Sequence, residues 1–329
     1  MKNIESGIPS VSLGKNGPKV GAQGLGTMGM ASGIYGATDE EEARATLESA
    51  LDQGVTLFDT ADMYGDGAGE RFLGSFVRSH RDQVVLATKF GFVSTNDPQN
   101  PYLIDNRPEY IHQAVDASLR RLGIDYIDLY YMHRRNRDVP LADSVGAMAD
   151  LVTAGKVRYL GLSEVTGDEL REAHTIHPIA TVQSEWSLFS RDVEQSSVPV
   201  AAQLGIAFVP YSPLGRGMLS GGVKLEKLED GDVRRYFPRF AEDNADGNAR
   251  LVQEIIRVAE ARGATPAQIA LSWVHSRAQA HGLTVVPIPG TRKRSRLEEN
   301  LGALNIQLSA SELEILERLA QSVQGIRLV

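Results

Sequence analysis

The chain has 329 residues, of which 42% are hydrophobic, and this is enough for one large core or for two smaller domains. Its 34 Lys and Arg residues against 42 Asp and Glu residues give a formal net charge of −8, which argues against a general nucleic-acid or membrane-surface binder. The absence of cysteine excludes disulfides and thiolate chemistry, and without a signal-peptide pattern or an apolar run of roughly 18 residues we expect a cytoplasmic protein.

Short apolar runs alternate with longer amphipathic segments along almost the whole chain. Residues 10–22 surround Asn16-Gly17 and predict an N-terminal β-hairpin. A weak strand signal follows at 23–30, and then seven runs that are apolar on both faces, as buried parallel strands are. These seven runs are TLFDTA (56–61), VVLATKFG (84–91), YIDLYYMH (126–133), VRYLGLS (157–163), IATVQSE (179–185), IAFVPYS (206–212) and LTVVPIPG (283–290).

Helix signals separate the strand candidates. Thr38 and Glu41 predict a capping box before the first long helix, and Gly54 predicts its end. Pro108 and Gly123 bound another helix in the same way. Further helices are predicted at 141–155, 167–175, 249–263, 265–278, 294–303 and, as an extra C-terminal element, 310–322.

Eight strand–helix units favour a closed barrel over two doubly wound domains. No linker-like Pro, Ser or Gly stretch divides the chain, so we expect a single domain over residues 1–329. The predicted fold is an α/β, (β/α)₈ TIM barrel with an N-terminal β-hairpin and an extra C-terminal helix.

Residues 24–29, GLGTMG, match the G-x-G-x-x-G pattern of dinucleotide-binding folds. That pattern needs a strong strand before it and a helix after it. The flanking segments PKVGAQ and MASGIYGAT provide neither. We therefore interpret the motif as a glycine-rich turn at the end of the first strand.

Four polar residues stand at or just beyond the ends of consecutive strands: Asp59, Tyr64, Lys89 and His133. Taken singly, each is more often a turn, packing or satisfied core residue. In a barrel, however, these strand ends meet at one rim. A buried lysine needs a counter-ion, and Asp59 is the nearest carboxylate. The charge of Lys89 would lower the pKa of Tyr64 from its usual value of about 10, which makes a proton donor, while His133 would bind a carbonyl oxygen.

Several longer motifs resemble the aldo-keto reductases in order and spacing. They are FDTADMYG, TKFG, the histidine after the fourth strand, GLSEV, QSEWSLFSR, PYSPLGRGMLSG and IPGTRKRSRLEEN, and the resemblance covers roughly residues 9–320. It is greatest to the long-loop aldehyde reductases, including the pyridoxal-reductase-like and perakine-reductase-like members. The resemblance implies a (β/α)₈ barrel that binds NADPH or NADP⁺ without a Rossmann motif. It also implies that Tyr64 is the general acid/base, that Lys89 and Asp59 tune it, and that His133 orients the carbonyl.

The resemblance implies a cofactor site at the same rim. Ser163 and Gln183 match the residues that bind the nicotinamide carboxamide, and Trp186 stands where an aromatic residue, usually Tyr, stacks on the nicotinamide. Glu164 departs from the family pattern, which often has Asn. The loop over the pyrophosphate matches Ser212, Leu214, Gly215 and Gly217, and the clamp on the adenosine 2′-phosphate and adenine matches Gly290, Thr291, Arg292, Arg296, Glu299 and Asn300.

The basic run 292–296 has two other interpretations, a nuclear-localisation or nucleic-acid patch and a solvated helix face. A phosphate clamp is favoured because the run follows a strand and opens a helix, and because arginine suits bidentate phosphate binding. A second basic cluster, 134–137, is expected at the pocket rim. No metal site is expected, since His174 and His177 lie three apart beside a proline without a matching carboxylate pair.

The resulting hypothesis is an NADPH-dependent aldo-keto reductase that reduces aldehydes, with some ketones, to alcohols. The alternatives are a redox-sensing regulatory subunit resembling the potassium-channel β subunits and an NAD(P)⁺-linked alcohol oxidant. The expected partner is a small-molecule carbonyl compound, neither nucleic acid nor a membrane; the sequence does not indicate the substrate or the oligomeric state. Pocket walls are expected from loops 30–37, 92–106, 134–139 and 213–247 and from the C-terminal tail, with Tyr35, Phe92, Tyr102, Tyr236 and Phe237 as aromatic candidates.

Overall fold

The computed structural model describes residues 7–30, 38–95, 97, 99–221, 228 and 232–327. Seven strands form one parallel sheet in the order β11-β10-β9-β8-β5-β4-β3, with the helices outside it. The strands are β1 (Ser10–Ser12), β2 (Lys19–Gly21), β3 (Leu25–Gly26), β4 (Leu57–Asp59), β5 (Val85–Phe90), β6 (Phe92–Ser94), β7 (Tyr102–Ile104), β8 (Ile127–Met132), β9 (Val157–Ser163), β10 (Ile179–Glu185) and β11 (Ala207–Tyr211). The α-helices are α1 (Glu40–Asp52), α2 (Ala68–Ser79), α3 (Pro108–Leu122), α4 (Leu141–Thr153), α5 (Gly167–Ile176), α6 (Ser197–Leu204), α7 (Glu242–Arg262), α8 (Pro266–His281), α9 (Arg294–Leu301) and α10 (Ala310–Leu319).

The segment 284–290 closes the sheet into a barrel. On one side Val286 N donates to Phe208 O of β11 at 2.9 Å, and on the other Gly24 N, just before β3, donates to Pro287 O at 3.0 Å. Prolines 287 and 289 have no N–H, so this eighth position is held by isolated bridges rather than a continuous strand. The predicted (β/α)₈ barrel is confirmed.

The N-terminal hairpin covers the amino-terminal end of the barrel. Strands β1 and β2 pair antiparallel, with Val11 opposite Val20. Leu13 in their connection is fully buried in the inner core, and Lys15 N donates to Gly205 O at 2.8 Å. This confirms the predicted hairpin. Because it occupies the amino-terminal end, the carboxyl ends of the strands form the open mouth.

Two separate cores determine which way strand residues face. Leu129 and Tyr131 of β8 belong to the cluster inside the barrel, whereas Tyr130 and Met132 belong to the shell between barrel and helices. The same alternation puts Val209 inside and its neighbour Phe208 outside. This alternation decides which side chains of each strand face the barrel interior.

Three local predictions need comment. The N-cap of α1 is Asp39, whose carboxylate accepts from Glu42 N at 3.2 Å, so the predicted Thr38 capping box is wrong by one residue. The predicted loop 92–106 contains the β6–β7 hairpin, and α7 begins at Glu242 instead of 249. After β3 the chain forms a short 3₁₀ turn at Met28–Met30, so the glycine motif at 24–29 lies on a strand and this turn; residues 31–37 are outside the described part of the chain.

Candidate active site

A buried ion pair lies at the centre of the mouth. Lys89 on β5 donates to Asp59 Oδ1, at the end of β4, at 2.5 Å and to Thr60 O at 2.8 Å. The other carboxylate oxygen of Asp59 accepts from Gln183 Nε2 of β10 at 2.8 Å. Lys89 is 1% exposed, and this burial lowers its pKa while the Asp59 carboxylate opposes the shift. The predicted pairing of Asp59 with Lys89 is therefore present, and both carboxylate oxygens are held.

Tyr64 and His133 lie next to this pair. Their rings meet edge to face with centroids 6.2 Å apart, and Lys89 Nζ is 5.3 Å from the Tyr64 ring centroid. His133 follows β8 directly, and its backbone N–H donates to Phe90 O at 2.9 Å. Burial, together with the charges of Lys89 and Arg134, holds the pKa of His133 well below its usual value. The imidazole is therefore neutral at physiological pH and offers one N–H donor.

Ser163 ends β9 and Glu164 follows it, and the two side chains have different partners. Ser163 is 1% exposed, and its hydroxyl accepts from Arg134 Nη1 at 3.3 Å. Both carboxylate oxygens of Glu164 accept from Arg327 Nη1, at 2.9 and 3.0 Å, and one also accepts from Glu185 N. Burial alone would raise the pKa of Glu164, but the bonds and charge of Arg327 lower it. Glu164 thus binds Arg327 in the C-terminal segment.

Trp186 does not lie where the sequence predicts. Its side chain is fully buried in the outer shell, edge to face with Phe208 (4.9 Å) and His281 (5.5 Å), and its Nε1 donates to Glu194 at 3.0 Å. A ring with no accessible surface cannot stack on a cofactor at the mouth. The predicted stacking role of Trp186 is wrong, because this side chain points away from the barrel interior.

Tyr211 is the aromatic residue at the mouth that the prediction missed. It ends β11, it is only partly buried, and it packs against the inner core. Its hydroxyl lies 3.5 Å from Arg134 Nη2, which also donates through Nη1 to Ser163. Side chains alternate along a strand, so Tyr211 faces inward like Val209, two residues before it. The sequence does not show which face of β11 points inward, so Tyr211 could not be identified from it.

The loop after β11 has an unusual backbone, in which Gly215 N donates to Ser212 O at 2.8 Å and Gly217 N donates to Leu214 O at 3.0 Å. Four of its residues have left-handed φ values: Ser212 (47°), Gly215 (56°), Arg216 (57°) and Gly217 (93°). For Ser212 and Arg216 this conformation costs about 1–3 kcal/mol each. Turns that mix left- and right-handed residues expose successive N–H groups as an anion-binding concavity. Leu214 anchors the loop by packing on the outer core.

The basic run follows the neighbouring, eighth barrel position. Helix α9 begins at Arg294, and Thr291 Oγ1 accepts from Lys293 N at 3.1 Å just before it. Arg292 donates to Thr38, and Arg296, with its side chain 57% exposed, pairs with Glu299 at 2.6 Å. Of the other predicted clamp residues, Gly290 is exposed and Asn300 is 3% exposed.

The comparisons decide the family. A sequence profile of the Aldo/keto reductase family matches residues 23–321. The chain is also 42% identical over 312 residues to the probable aldo-keto reductase 1 of Glycine max, covering 94% of this chain and 88% of that protein. The chain belongs to the aldo/keto reductase family. As a family member it is an oxidoreductase that acts on carbonyl groups, and its family uses nicotinamide cofactors.

Solved structures of family members share the fold of this aldo/keto reductase. The glycerol dehydrogenase AKR11B4 from Gluconobacter oxydans superposes with a TM-score of 0.82 at 27% identity, covering 96% of this chain and 95% of its own. The thermostable aldo-keto reductase Tm1743, in complex with the inhibitor epalrestat, gives a TM-score of 0.73 at 29% identity, covering 95% of this chain and 100% of its own.

The predicted wall residues of this aldo/keto reductase differ in position. Phe92 lies 5.0 Å from the His133 ring, and Tyr102 lies 6.0 Å from Phe92 (centroid distances). Tyr236 is 76% exposed, and Phe237 lies under the Arg216 guanidinium. Tyr35 lies outside the described residues. No described helix is long and apolar enough to cross a bilayer.

Proposed function

We propose that this aldo/keto reductase reduces aldehydes, and some ketones, to alcohols with NADPH. The observation that carries the proposal is the buried Asp59–Lys89 pair with Tyr64 and His133 beside it. A bound reduced nicotinamide would supply the hydride. The protein then has to bind the carbonyl oxygen and deliver a proton to it, and these four side chains are suited to that work.

Each of the four side chains has a distinct role in this proposal. Neutral His133 donates a hydrogen bond to the carbonyl oxygen, and Tyr64 gives its phenolic proton to that oxygen. The ammonium of Lys89, 5.3 Å from the Tyr64 ring centroid, stabilises the phenolate that remains. Asp59 holds Lys89 in place and compensates its charge in a site with little water.

The residues around the mouth suit a nicotinamide dinucleotide. Tyr211 offers an aromatic face to the nicotinamide in the role that the sequence assigned to Trp186. Ser163 and Gln183 would bind the carboxamide. The left-handed loop 212–217 would bind the pyrophosphate, and Arg292 and Arg296, at the start of α9, the 2′-phosphate that distinguishes NADPH from NADH.

A screen of aldehydes and ketones, followed by the loss of NADPH absorbance, tests the proposal. We expect turnover of aldehydes with NADPH above that with NADH, and little turnover by Tyr64→Phe. Tight NADPH binding without turnover of any carbonyl would contradict the proposal and favour a redox-sensing subunit. Alcohol oxidation with NADP⁺ but no measurable reduction would favour an oxidant, the activity that the glycerol dehydrogenase relative is named for.

A further inference from the structure

Arg134 is an arginine at the mouth whose hydrogen bonds all go to uncharged oxygens. It follows His133 directly and donates to His133 O at 2.8 Å, to Ser163 Oγ at 3.3 Å and to Tyr211 Oη at 3.5 Å. Its Nε is buried and has no hydrogen-bond partner. Within the described parts of the chain, no Asp or Glu forms an ion pair with it.

Three other arginines at this end of the barrel have ion pairs, whereas Arg135, among the described residues, has none and donates to Asn136 O. Arg327 pairs with Glu164 at 2.9 Å and with Asp192 at 2.6 Å. Arg239 pairs with Glu185 at 3.2 Å, and Arg216 lies 3.8 Å from the same carboxylate. Lys89 likewise has Asp59. Arg134 and Arg135 therefore both lack an ion pair, and of the two Arg134 contacts Ser163 and Tyr211 at the mouth. A half-buried charge of this kind is stabilised when an anion binds to it.

Phe92 lies near both His133 and Arg134. The Phe92 ring centroid lies 5.0 Å from the His133 ring centroid and 6.0 Å from the guanidinium carbon of Arg134. On its other side, the same guanidinium is 6.0 Å from the Tyr211 ring. A substrate that lies against Phe92 can reach His133 with its carbonyl and Arg134 with an acidic group.

We propose that Arg134 is a specificity residue that binds the carboxylate of carbonyl substrates carrying an acid group. The proposal rests on the reductase function proposed above and adds the substrate class. A carboxylate would match the positive charge of Arg134 and accept a charge-assisted hydrogen bond from its guanidinium.

The test compares para-formylbenzoate with its methyl ester, two aldehydes that differ in one negative charge. The measured quantity is the ratio of kcat/KM for the acid to kcat/KM for the ester. Loss of a charge-assisted hydrogen bond lowers affinity by about 10- to 150-fold, so we expect Arg134→Met to lower the ratio by that factor. Arg134→Lys keeps the charge without the planar guanidinium. We expect its ratio to lie between those of the wild type and Arg134→Met.

Arg137→Met is the matched control. Arg137 lies in the same loop, but its side chain is 74% exposed and faces Glu169 at 3.4 Å. Its removal takes the same charge from the rim, and we expect the ratio to stay within about twofold because exposed charges are well screened. An equal fall of the ratio in Arg137→Met would show a general effect of net charge and overturn the assignment to Arg134.

A binding measurement separates this inference from the reductase proposal. Calorimetric titration with para-(hydroxymethyl)benzoate, with and without NADP⁺, needs no turnover. We expect Arg134→Met to weaken this binding by the same factor. An unchanged dissociation constant in Arg134→Met overturns the inference, whether or not any aldehyde is reduced. A tenfold loss of NADPH affinity with an unchanged acid-to-ester ratio also overturns it, because Arg134 would then serve the cofactor.

Discussion

The buried cluster around Lys89 and the basic run at 292–296 differ in how far their charges are buried and in how those charges are paired. Lys89 and Asp59 are almost completely buried, and each has protein partners that hold it in one arrangement. Arg296 is exposed and pairs with Glu299 on its own helix turn. The first region is organised before any ligand binds, whereas in the second a phosphate has to compete with a carboxylate of the protein.

This difference indicates how substitutions should act. In the buried cluster a single change removes one partner and leaves the other as an uncompensated buried charge, so chemistry and stability fall together. In the exposed run a single change removes an interaction that water screens. Only ligand affinity should then fall, and the effect should be smaller than in the buried cluster. The four predictions that follow test this contrast.

Tyr64→Phe removes the proposed proton donor and leaves the Asp59–Lys89 pair in place. We expect kcat to fall by about two to four orders of magnitude, the usual range for loss of general acid catalysis. Single-turnover kinetics with the best aldehyde of the screen measure the effect, with NADPH binding as the control for an intact site. A near-wild-type chemical step would remove Tyr64 from the mechanism.

Lys89→Met leaves Asp59 buried without its cation. We expect turnover to fall nearly as far as in Tyr64→Phe, and the free energy of unfolding to fall by on the order of 3 kcal/mol. Urea unfolding measures the second effect. The matched control is Lys156→Met, which removes a half-exposed pair with Asp116 (2.6 Å) and should cost about 0–1 kcal/mol. Equal costs in the two variants would contradict the contrast between buried and exposed pairs.

Asp62 tests the effect of partial burial on a carboxyl that forms no ion pair among the described residues. Burial, followed by the charge of Glu70, raises its pKa to about 8, although Arg121 and Lys89 oppose the shift, and its Oδ1 has no hydrogen-bond partner. The usual pKa of Asp is about 3.9, so between these values the folded state keeps a proton that the unfolded state has lost. This contribution to stability is complete below about pH 4 and is lost as the pH rises towards 8, by on the order of 1 kcal/mol per pH unit.

The amide in Asp62→Asn cannot ionise, so this variant should not lose stability in the same way as the pH rises. We therefore expect the variant to gain stability relative to wild type as the pH rises from about 5 to 8, measured by urea unfolding at several pH values. Parallel curves for the two proteins would mean that Asp62 is already ionised in the folded state.

Arg296→Met should have the smallest effect. The 2′-phosphate is absent from NADH, so the loss should be confined to NADPH. A charge-assisted hydrogen bond is worth about 10- to 150-fold in affinity, and competition from Glu299 puts our expectation at the low end, about tenfold. Calorimetric titration with both cofactors measures it, and Arg318→Met, an exposed arginine of α10 paired with Glu314, is the control. Equal weakening of NADH would indicate a structural role for Arg296.

The sequence was sufficient to predict the barrel and to bring Asp59, Tyr64, Lys89 and His133 together at one rim of it. The runs at 157–163 and 179–185 coincide with β9 and β10, because a strand buried on both faces must be apolar throughout. For the same reason, the sequence does not show which face points into the barrel. Trp186 was assigned to the mouth and lies in the shell, while Tyr211 was overlooked.

Other features depended on geometry that no local pattern carries. Thr38 and Asp39 are adjacent residues that can both cap a helix, and only the start of α1 distinguishes them. The partner of Glu164 is Arg327, 163 residues further along the chain. That Arg134 has no ion pair among the described residues emerges only from the three-dimensional positions of carboxylates such as Glu164, which pairs with Arg327.

The burial of Trp186 has a consequence for spectroscopy. The chain has two tryptophans, and the other, Trp273, is also fully buried in the outer shell, within 4.4 Å of the Arg277 guanidinium. Intrinsic emission should therefore shift to longer wavelength when the shell opens to water and stay at shorter wavelength while it is intact. Both indoles are buried away from the mouth, so NADPH could quench their emission only by energy transfer through the barrel wall. Tryptophan emission therefore reports whether the scaffold is intact. The fluorescence of the dihydronicotinamide itself is the signal for binding at the mouth.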